Sequence, residues 1–294
     1  MLQNKLIGMG VALVTPFKTD GSVDFQNLGK LVDFQIESGT NYLVICGTTS
    51  EVPTLMQGER EEITRFVVER TAGRVPIVLG IGGYNTARIV QRVSNAVSQG
   101  IDAVLSVVPY YSKPSQEGLY QHYKAIAAAT EMPIILYNVP GRTGTNMTAQ
   151  TTLRLAREFK NIAAIKEASG NFEQIIEIIK NKPQDFIVIS GDDGTAFPLI
   201  KEGAVGVISV IANAFPREFG QMVRLALNGD FDSAQEINNR FSELIKLLFV
   251  DGSPSGIKSV LSELGMIEDV LRLPLVPASV ETKEKIKFLV KSKK

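Results

Sequence analysis

Lys166 sits in an awkward place. The segment NIAAIKEASG (161–170) runs Ile162, Ala163, Ala164 and Ile165 straight into a cation. A buried ammonium loses several kcal/mol of hydration unless it finds a partner or gives up its proton. Either the strand ends at Ile165 and the lysine is solvated beside Glu167, or the amine is held in a weakly solvated site. In the second case a larger neutral fraction can attack a carbonyl carbon and form a Schiff base. Other apolar runs end on groups that suit such chemistry: Thr48 and Thr49, Tyr110 and Tyr111, Tyr137 and Asn138. Their hydroxyls can pass protons during addition and dehydration without adding full charge to a pocket. Arg142, just past PIILYNVPG, has a planar fork that holds a carboxylate bidentately. Lys, Tyr, Thr and Arg on neighbouring strand ends make a site for a 2-oxo acid.

Several other chemistries are disfavoured. The single histidine, His122, lies in the helical stretch EGLYQHYKAI, so Ser-His-Asp catalysis and histidine-ligated metals are not expected, and a surface or satisfied structural role is. Asp192 and Asp193 in SGDDG are a weak metal signal and read as helix-capping residues. Cys46 has no nearby base and reads as a small buried residue. With 31 basic and 31 acidic side chains in 294 residues, no global field attracts nucleic acid or an anionic membrane. One cysteine rules out an internal disulfide framework, and the N-terminus MLQNKLIGMG lacks the apolar core of a signal peptide. A cytoplasmic location is expected, with no membrane span.

Something must position these residues. Short apolar runs recur at 8–17, 41–49, 75–83, 101–111, 133–140, 161–169, 185–193 and 204–213. Near-continuous apolarity marks strands buried on both faces of a parallel sheet covered by helices. Between them lie helical stripes: Phe25, Leu28, Leu31 and Val32 after a cap at Asp24; Val90, Val93 and Val97 after Thr86; Phe172, Ile175, Ile176 and Ile179 after Asn171. This pitch suits a (β/α)8 TIM barrel, an α/β fold in which chemistry sits at the C-terminal ends of the strands. A doubly wound open sheet is the alternative, weakened because VTPFKTDGSVD carries no Gly-rich dinucleotide fingerprint and Gly82-Gly83 reads as a tight turn. After residue 215 only helices are expected, through 232–250, 255–264 and 280–290. Residues 1–215 then form the catalytic barrel, and 216–294 the final barrel helix and a C-terminal helical extension.

Five spaced motifs carry a resemblance: GTTSE (47–51), PYYSKPSQEGLYQHY (109–123), YNVPGRTG (137–144), IKEASGN (165–171) and SGDD (190–193). Together, from about residue 8 to the C-terminus, they resemble the dihydrodipicolinate synthase family of pyruvate-dependent aldolases, which includes N-acetylneuraminate lyase. The resemblance implies a barrel that condenses pyruvate with L-aspartate 4-semialdehyde, on the route to diaminopimelate and lysine, with no metal or organic cofactor. It implies that Lys166 carries the Schiff base and Tyr137 donates and accepts protons beside it. Thr49 and Tyr111 would complete a hydroxyl relay, Tyr111 crossing into a neighbouring subunit's site of a dimer or homotetramer. Thr48 would help bind the pyruvate carboxylate and Arg142 that of the semialdehyde. Gly191 and the Ile208 carbonyl would shape the pocket.

Two positions depart from the family pattern. Ser50 replaces the glycine of GTTGE, which can alter loop packing but keeps both threonines. Lysine-inhibited members resembling this chain use His, Asn and Glu at a dimer interface, where Gln57, Arg60, Tyr84 and Arg88 stand here. Arg88 in place of a carboxylate repels the lysine ammonium, so weak or absent lysine inhibition is expected. Two other functions fit parts of the pattern. One is a related aldolase acting on a sialic acid or 2-keto-3-deoxy sugar acid, against which Tyr110, Tyr111 and Arg142 argue. The other is a non-catalytic binding protein for a 2-oxo acid or amino acid.

Overall fold

Each apolar run brackets one strand. They are β1 (Gly8–Ala12), β2 (Tyr42–Ile45), β3 (Ile77–Gly80), β4 (Ala103–Val107), β5 (Ile134–Asn138), β6 (Ile162–Glu167), β7 (Ile187–Ser190) and β8 (Gly206–Ser209). The structure, a computed structural model, describes residues 5–96 and 99–291. All neighbouring strands pair in parallel, and β1 pairs with β8 through Gly8↔Gly206 to Val11↔Ser209, which closes the sheet. The fold is a (β/α)8 barrel, and the open doubly wound alternative is excluded.

Both faces of the sheet are buried, but they serve different cores. Inward residues such as Val44, Val78, Leu105, Ile135 and Ile189 form a compact cluster inside the barrel. Outward residues such as Ile45, Leu79, Val104, Leu136 and Val188 join the larger layer between sheet and helices. Tyr42 fills the interior, and Gly10 makes room for it, since a Cβ there would lie 2.1 Å from the Tyr42 ring.

The register of β6 decides which way Lys166 points. Ile134 pairs with Ile162, but Ile135 pairs with Ala164, so Ala163 is passed over. A one-residue shift turns every following side chain to the other face. Ala164 accordingly joins the interior cluster, although Ile162, two residues earlier, belongs to the outer layer. The same shift places Lys166 directly across from Tyr137.

Helices cover the barrel: α1 (Phe25–Glu37), α2 (Gln57–Thr71), α3 (Thr86–Ala96), α4 (Gln116–Ala127), the short α5 (Pro140–Thr143), α6 (Ala149–Glu158), α7 (Phe172–Asn181), α8 (Asp193–Lys201) and α9 (Pro216–Leu227). The caps expected at Asp24 and Asn171 are present, accepting from Asn27 N and Gln174 N. Two stripes are displaced from expectation. On α3 the buried residues are Ile89, Val93 and Ala96 rather than Val90 and Val93, and Val97 lies outside the described residues. On α7 Gln174, Ile175 and Ile178 are buried, while Phe172, Ile176 and Ile179 are only partly covered. The competing principle is tertiary: the stripe is set by how the helix sits on strands on both sides of it, and a run of isoleucines leaves more than one choice. Beyond the barrel come α10 (Phe231–Leu247), α11 (Ser255–Glu263) and α12 (Val280–Lys291). No helix among the described residues is long and apolar enough to cross a membrane.

Candidate active site

Lys166 is the last but one residue of β6, on the inner face and 6% exposed, and Tyr137 holds the same place on β5 beside it with the same exposure. The lysine is therefore not the solvated residue of the plain reading. Its Nζ lies 4.3 Å from the centroid of the Tyr137 ring. No carboxylate forms an ion pair with it among the described residues. Behind Lys166, Glu167 points outward and is fully buried. Its carboxylate accepts from Asn138 Nδ2 at 2.8 Å, Gln174 Nε2 at 3.0 Å and Ser169 N at 3.1 Å. Burial raises the pKa of this carboxyl, and those donors only partly offset it. The network ties the ends of β5 and β6 together on the side away from the amine, fixing the Lys166–Tyr137 pair from behind.

Thr48 and Thr49 lie on the turn after β2, Thr48 half-buried and Thr49 4% exposed. Ser50 is buried, and its hydroxyl donates to Leu13 O at 2.6 Å. Thr15, beyond β1, donates to Ser50 O at 2.9 Å. The serine that replaces the family glycine thus sews this turn to the end of the neighbouring strand. Glu51 follows in the left-handed region, φ +56°, and its buried carboxylate pairs with Lys258 of α11. Lys258 also donates to Val270 O at 2.9 Å and lies 4.1 Å from the Phe17 ring centroid. Burial depresses the Lys258 pKa while Glu51 raises it. Sequence reasoning missed this pair, since 207 residues separate its members and nothing local in the chain marks either one.

The opposite wall comes from β7 and β8. A Cβ on Gly191 would lie 2.8 Å from Ala168 Cβ and 3.0 Å from Lys166 Cε, so a side chain there would crowd the lysine. Ile208 on β8 belongs to the interior cluster. Asp192 caps α8, accepting from Gly194 N at 2.6 Å, as its position beside a helix start leads one to expect. Asp193 does something else. It is 1% exposed, and its Oδ2 accepts from Val210 N at 2.9 Å and Ile211 N at 2.8 Å, holding the loop after β8. Burial pushes its pKa up to about 6. Among the described residues no three His, Cys, Asp or Glu side chains gather as a metal site.

At the rim, Arg142 lies exposed on α5 and Tyr110 is 37% exposed. Tyr111 is 91% exposed and held at φ +68°, a backbone region that non-glycine residues rarely occupy and that is kept where the surroundings demand it. Cys46 lies just past β2, buried, with its thiol pKa raised by burial. His122 is buried rather than on the surface: Nδ1 lies 2.8 Å from Thr86 Oγ1, while Nε2 has no hydrogen-bond partner. Gln57, Arg60, Tyr84 and Arg88 all line one cavity of about 620 Å³ between α2 and α3, which Lys166, Tyr137, Thr48 and Thr49 do not line.

Known proteins share this architecture. A chain from Parabacteroides distasonis described as 4-hydroxy-tetrahydrodipicolinate synthase is 63% identical over 291 residues, covering 99% of this chain and 98% of that one. One of the same description from Phocaeicola vulgatus is 60% identical, at 99% and 98% coverage. The crystal structure of dihydrodipicolinate synthase from Aquifex aeolicus superposes with a TM-score of 0.95 at 43% identity, covering 98% of each chain. The profile of the dihydrodipicolinate synthetase family matches residues 5–293, so with a closed barrel, an inward lysine beside a tyrosine and these relatives in agreement, the chain belongs to that family.

Proposed function

We propose that this chain is a 4-hydroxy-tetrahydrodipicolinate synthase, a Schiff-base-forming lyase that condenses pyruvate with L-aspartate 4-semialdehyde on the way to diaminopimelate and lysine. One observation carries the reading: an amine 6% exposed, without a carboxylate partner among the described residues and 4.3 Å from a tyrosine ring, at the C-terminal end of a barrel strand.

The neutral Lys166 amine adds to the pyruvate ketone, and water leaves as the protonated Schiff base forms. That cation withdraws electrons, so a methyl proton departs and an enamine results. The enamine carbon adds to the aldehyde carbon, and the new alkoxide takes a proton. The substrate's own amine then attacks the Schiff-base carbon and displaces Lys166 as the ring closes. Tyr137, Thr49 and Tyr111 relay the protons. Thr48 holds the pyruvate carboxylate, and Arg142, exposed at the rim, receives that of the semialdehyde. Gly191 and the Ile208 carbonyl leave space beside the lysine. Because the iminium is the electron sink, the reading calls for no metal or organic cofactor. Tyr111 enters a partner copy's site in a homodimer or a homotetramer, and the unpaired, buried Cys46 suits a reducing cytoplasm.

Borohydride trapping with pyruvate tests the chemistry. The peptide containing Lys166 should gain one reduced pyruvate, and K166A should gain none. Absence of pyruvate-dependent mass at Lys166 would point to a binding protein. A coupled reductase assay with the semialdehyde tests the substrate, and cleavage of a 2-keto-3-deoxy sugar acid in place of that activity would overturn it.

A further inference from the structure

Asn138, the last residue of β5, is fully buried, and its side chain closes the loop that follows it. That loop carries α5 and Arg142 and returns to the barrel at Met147, whose N–H donates to Asn138 Oδ1 at 3.0 Å. Asn138 Nδ2 donates to Asn146 Oδ1 at 2.8 Å, so one amide grips the returning end of the loop twice. Gln174 of α7 grips the same end: its Nε2 donates to Met147 O at 3.2 Å, and its Oε1 accepts from Asn146 Nδ2 at 2.8 Å. Either amide, turned over, would exchange donor for acceptor and release the loop. Glu167 prevents this. Its carboxylate only accepts, and Oε1 takes Asn138 Nδ2 at 2.8 Å and Gln174 Nε2 at 3.0 Å. Both NH2 groups must therefore face it, which leaves both amide oxygens facing Met147 N and Asn146 Nδ2.

We infer that Glu167 is a positioning residue for the second substrate: it holds the Arg142 loop in place and so sets the affinity for the semialdehyde without touching either substrate. The inference rests on the reading that Arg142 receives the semialdehyde's carboxylate. Lys166 and Tyr137 depend on Glu167 less. They are joined by the β5–β6 ladder, in which Tyr137 pairs with Lys166 and Asn138 with Glu167, and backbone pairing persists whatever group stands behind it. Residues 139–146 belong to no strand, and α5 is a single turn of four residues, so the loop's place is decided at its ends. Gln116 of α4 adds one further hold there, donating to Asn146 O at 2.7 Å. A glutamine at 167 has one oxygen and one NH2 where three donors converge, Asn138 Nδ2, Gln174 Nε2 and Ser169 N. Its NH2 meets either the two amides or the Ser169 N–H, and a partner is lost in both cases.

Initial rates with each substrate varied, borohydride trapping and hydrogen exchange at 139–147 test this in E167Q, N146A and R142Q. E167Q should raise KM for the semialdehyde by about tenfold or more, as a misplaced substrate-holding group does. KM for pyruvate and the rate of pyruvate trapping should stay within about twofold, while amides in 139–147 exchange faster. N146A alters an exposed residue and keeps the fold; it should raise the semialdehyde KM by about threefold, the worth of a modest hydrogen bond. A variant that only destabilised the barrel would lose both substrates alike. Equal losses for pyruvate and semialdehyde, unchanged exchange at 139–147, or an unchanged semialdehyde KM in E167Q or N146A while R142Q raises it would each overturn the inference. If R142Q itself leaves that KM unchanged, the fault lies in the role given to Arg142, and the inference falls with it.

Discussion

Tyr137 and Lys166 face each other across one pair of hydrogen-bonded strands, so removing the phenol oxygen should leave the amine in place. Y137F is expected to keep borohydride trapping of pyruvate while its kcat for condensation falls by about 10²- to 10⁴-fold, the usual worth of a positioned proton-transfer group. Unchanged turnover would remove Tyr137 from the relay. A second prediction concerns a buried ring outside the site. Burial depresses the His122 pKa from 6.5 to about 4, so the unfolded chain binds the extra proton between those values. The stability from the neutral ring is therefore full above pH 6.5 and is lost as pH falls toward about 4, up to about 3 kcal/mol. Asp193 has the opposite sign: raised from 3.8 to about 6, it contributes stability present below 3.8 and lost as pH rises through 6. H122Q removes the first slope and leaves the second. Denaturant titrations at several pH values between those limits should show the variant gaining on the parent as pH falls, and parallel curves would contradict this. The places of Lys166 and Tyr137 near strand ends, and of Thr48 and Thr49 on the turn after β2, were legible because strand ends are written locally, in apolar runs that stop. The Glu51–Lys258 pair, the Glu167 amide cage and the backbone-holding role of Asp193 were not legible, because their partners are distant in the chain.

The turn carrying Thr48 and Thr49 is anchored at two points, by Ser50 to the end of β1 and by Glu51 to α11. Lys258 and Glu51 are both fully buried, so truncating either leaves the other charge without compensation, at a cost of about 3–5 kcal/mol. K258M is expected to lower stability by that order and to loosen the threonines, so that kcat/KM for pyruvate falls as well. E51Q/K258M, which removes both charges, should recover a large part of the stability. Denaturant midpoints for the two single variants and the double variant check this, and strict additivity would mean the pair is not coupled. Elements were the most legible part of the sequence. All eight apolar runs contain their strands, and the three helices expected after residue 230 are α10 to α12. Apolar runs overstate strand length because the loops that follow are buried too: β2 stops at Ile45 although the run continues to Thr49. The Ala163 shift in β6 left no sign, since Ile, Ala and Ala suit either face equally.

At the scale of the molecule, an exposed tyrosine on a strained backbone asks for a partner. Tyr111 is 91% exposed, and Tyr84 and Met56 nearby in the chain's fold are 62% and 73% exposed, a set of apolar side chains that solvent alone does not account for. A homodimer joined across this face would let each Tyr111 reach the partner copy's Lys166 pocket, as the family resemblance implies. Sedimentation should find at least a dimer, and Y110D/Y111D should shift it toward monomer. Crossing itself is tested by complementation. K166A lacks the nucleophile but retains Tyr111; Y111F retains the nucleophile but lacks the hydroxyl. In a twofold dimer that holds one copy of each, the lysine of the Y111F copy meets the tyrosine of the K166A copy, and one complete site is restored. Random mixing makes half of the dimers mixed, so co-expression should give about one quarter of the parent number of complete sites. If Tyr111 instead served its own subunit, no complete site could form, and the mixture would show no more than half the rate of Y111F alone.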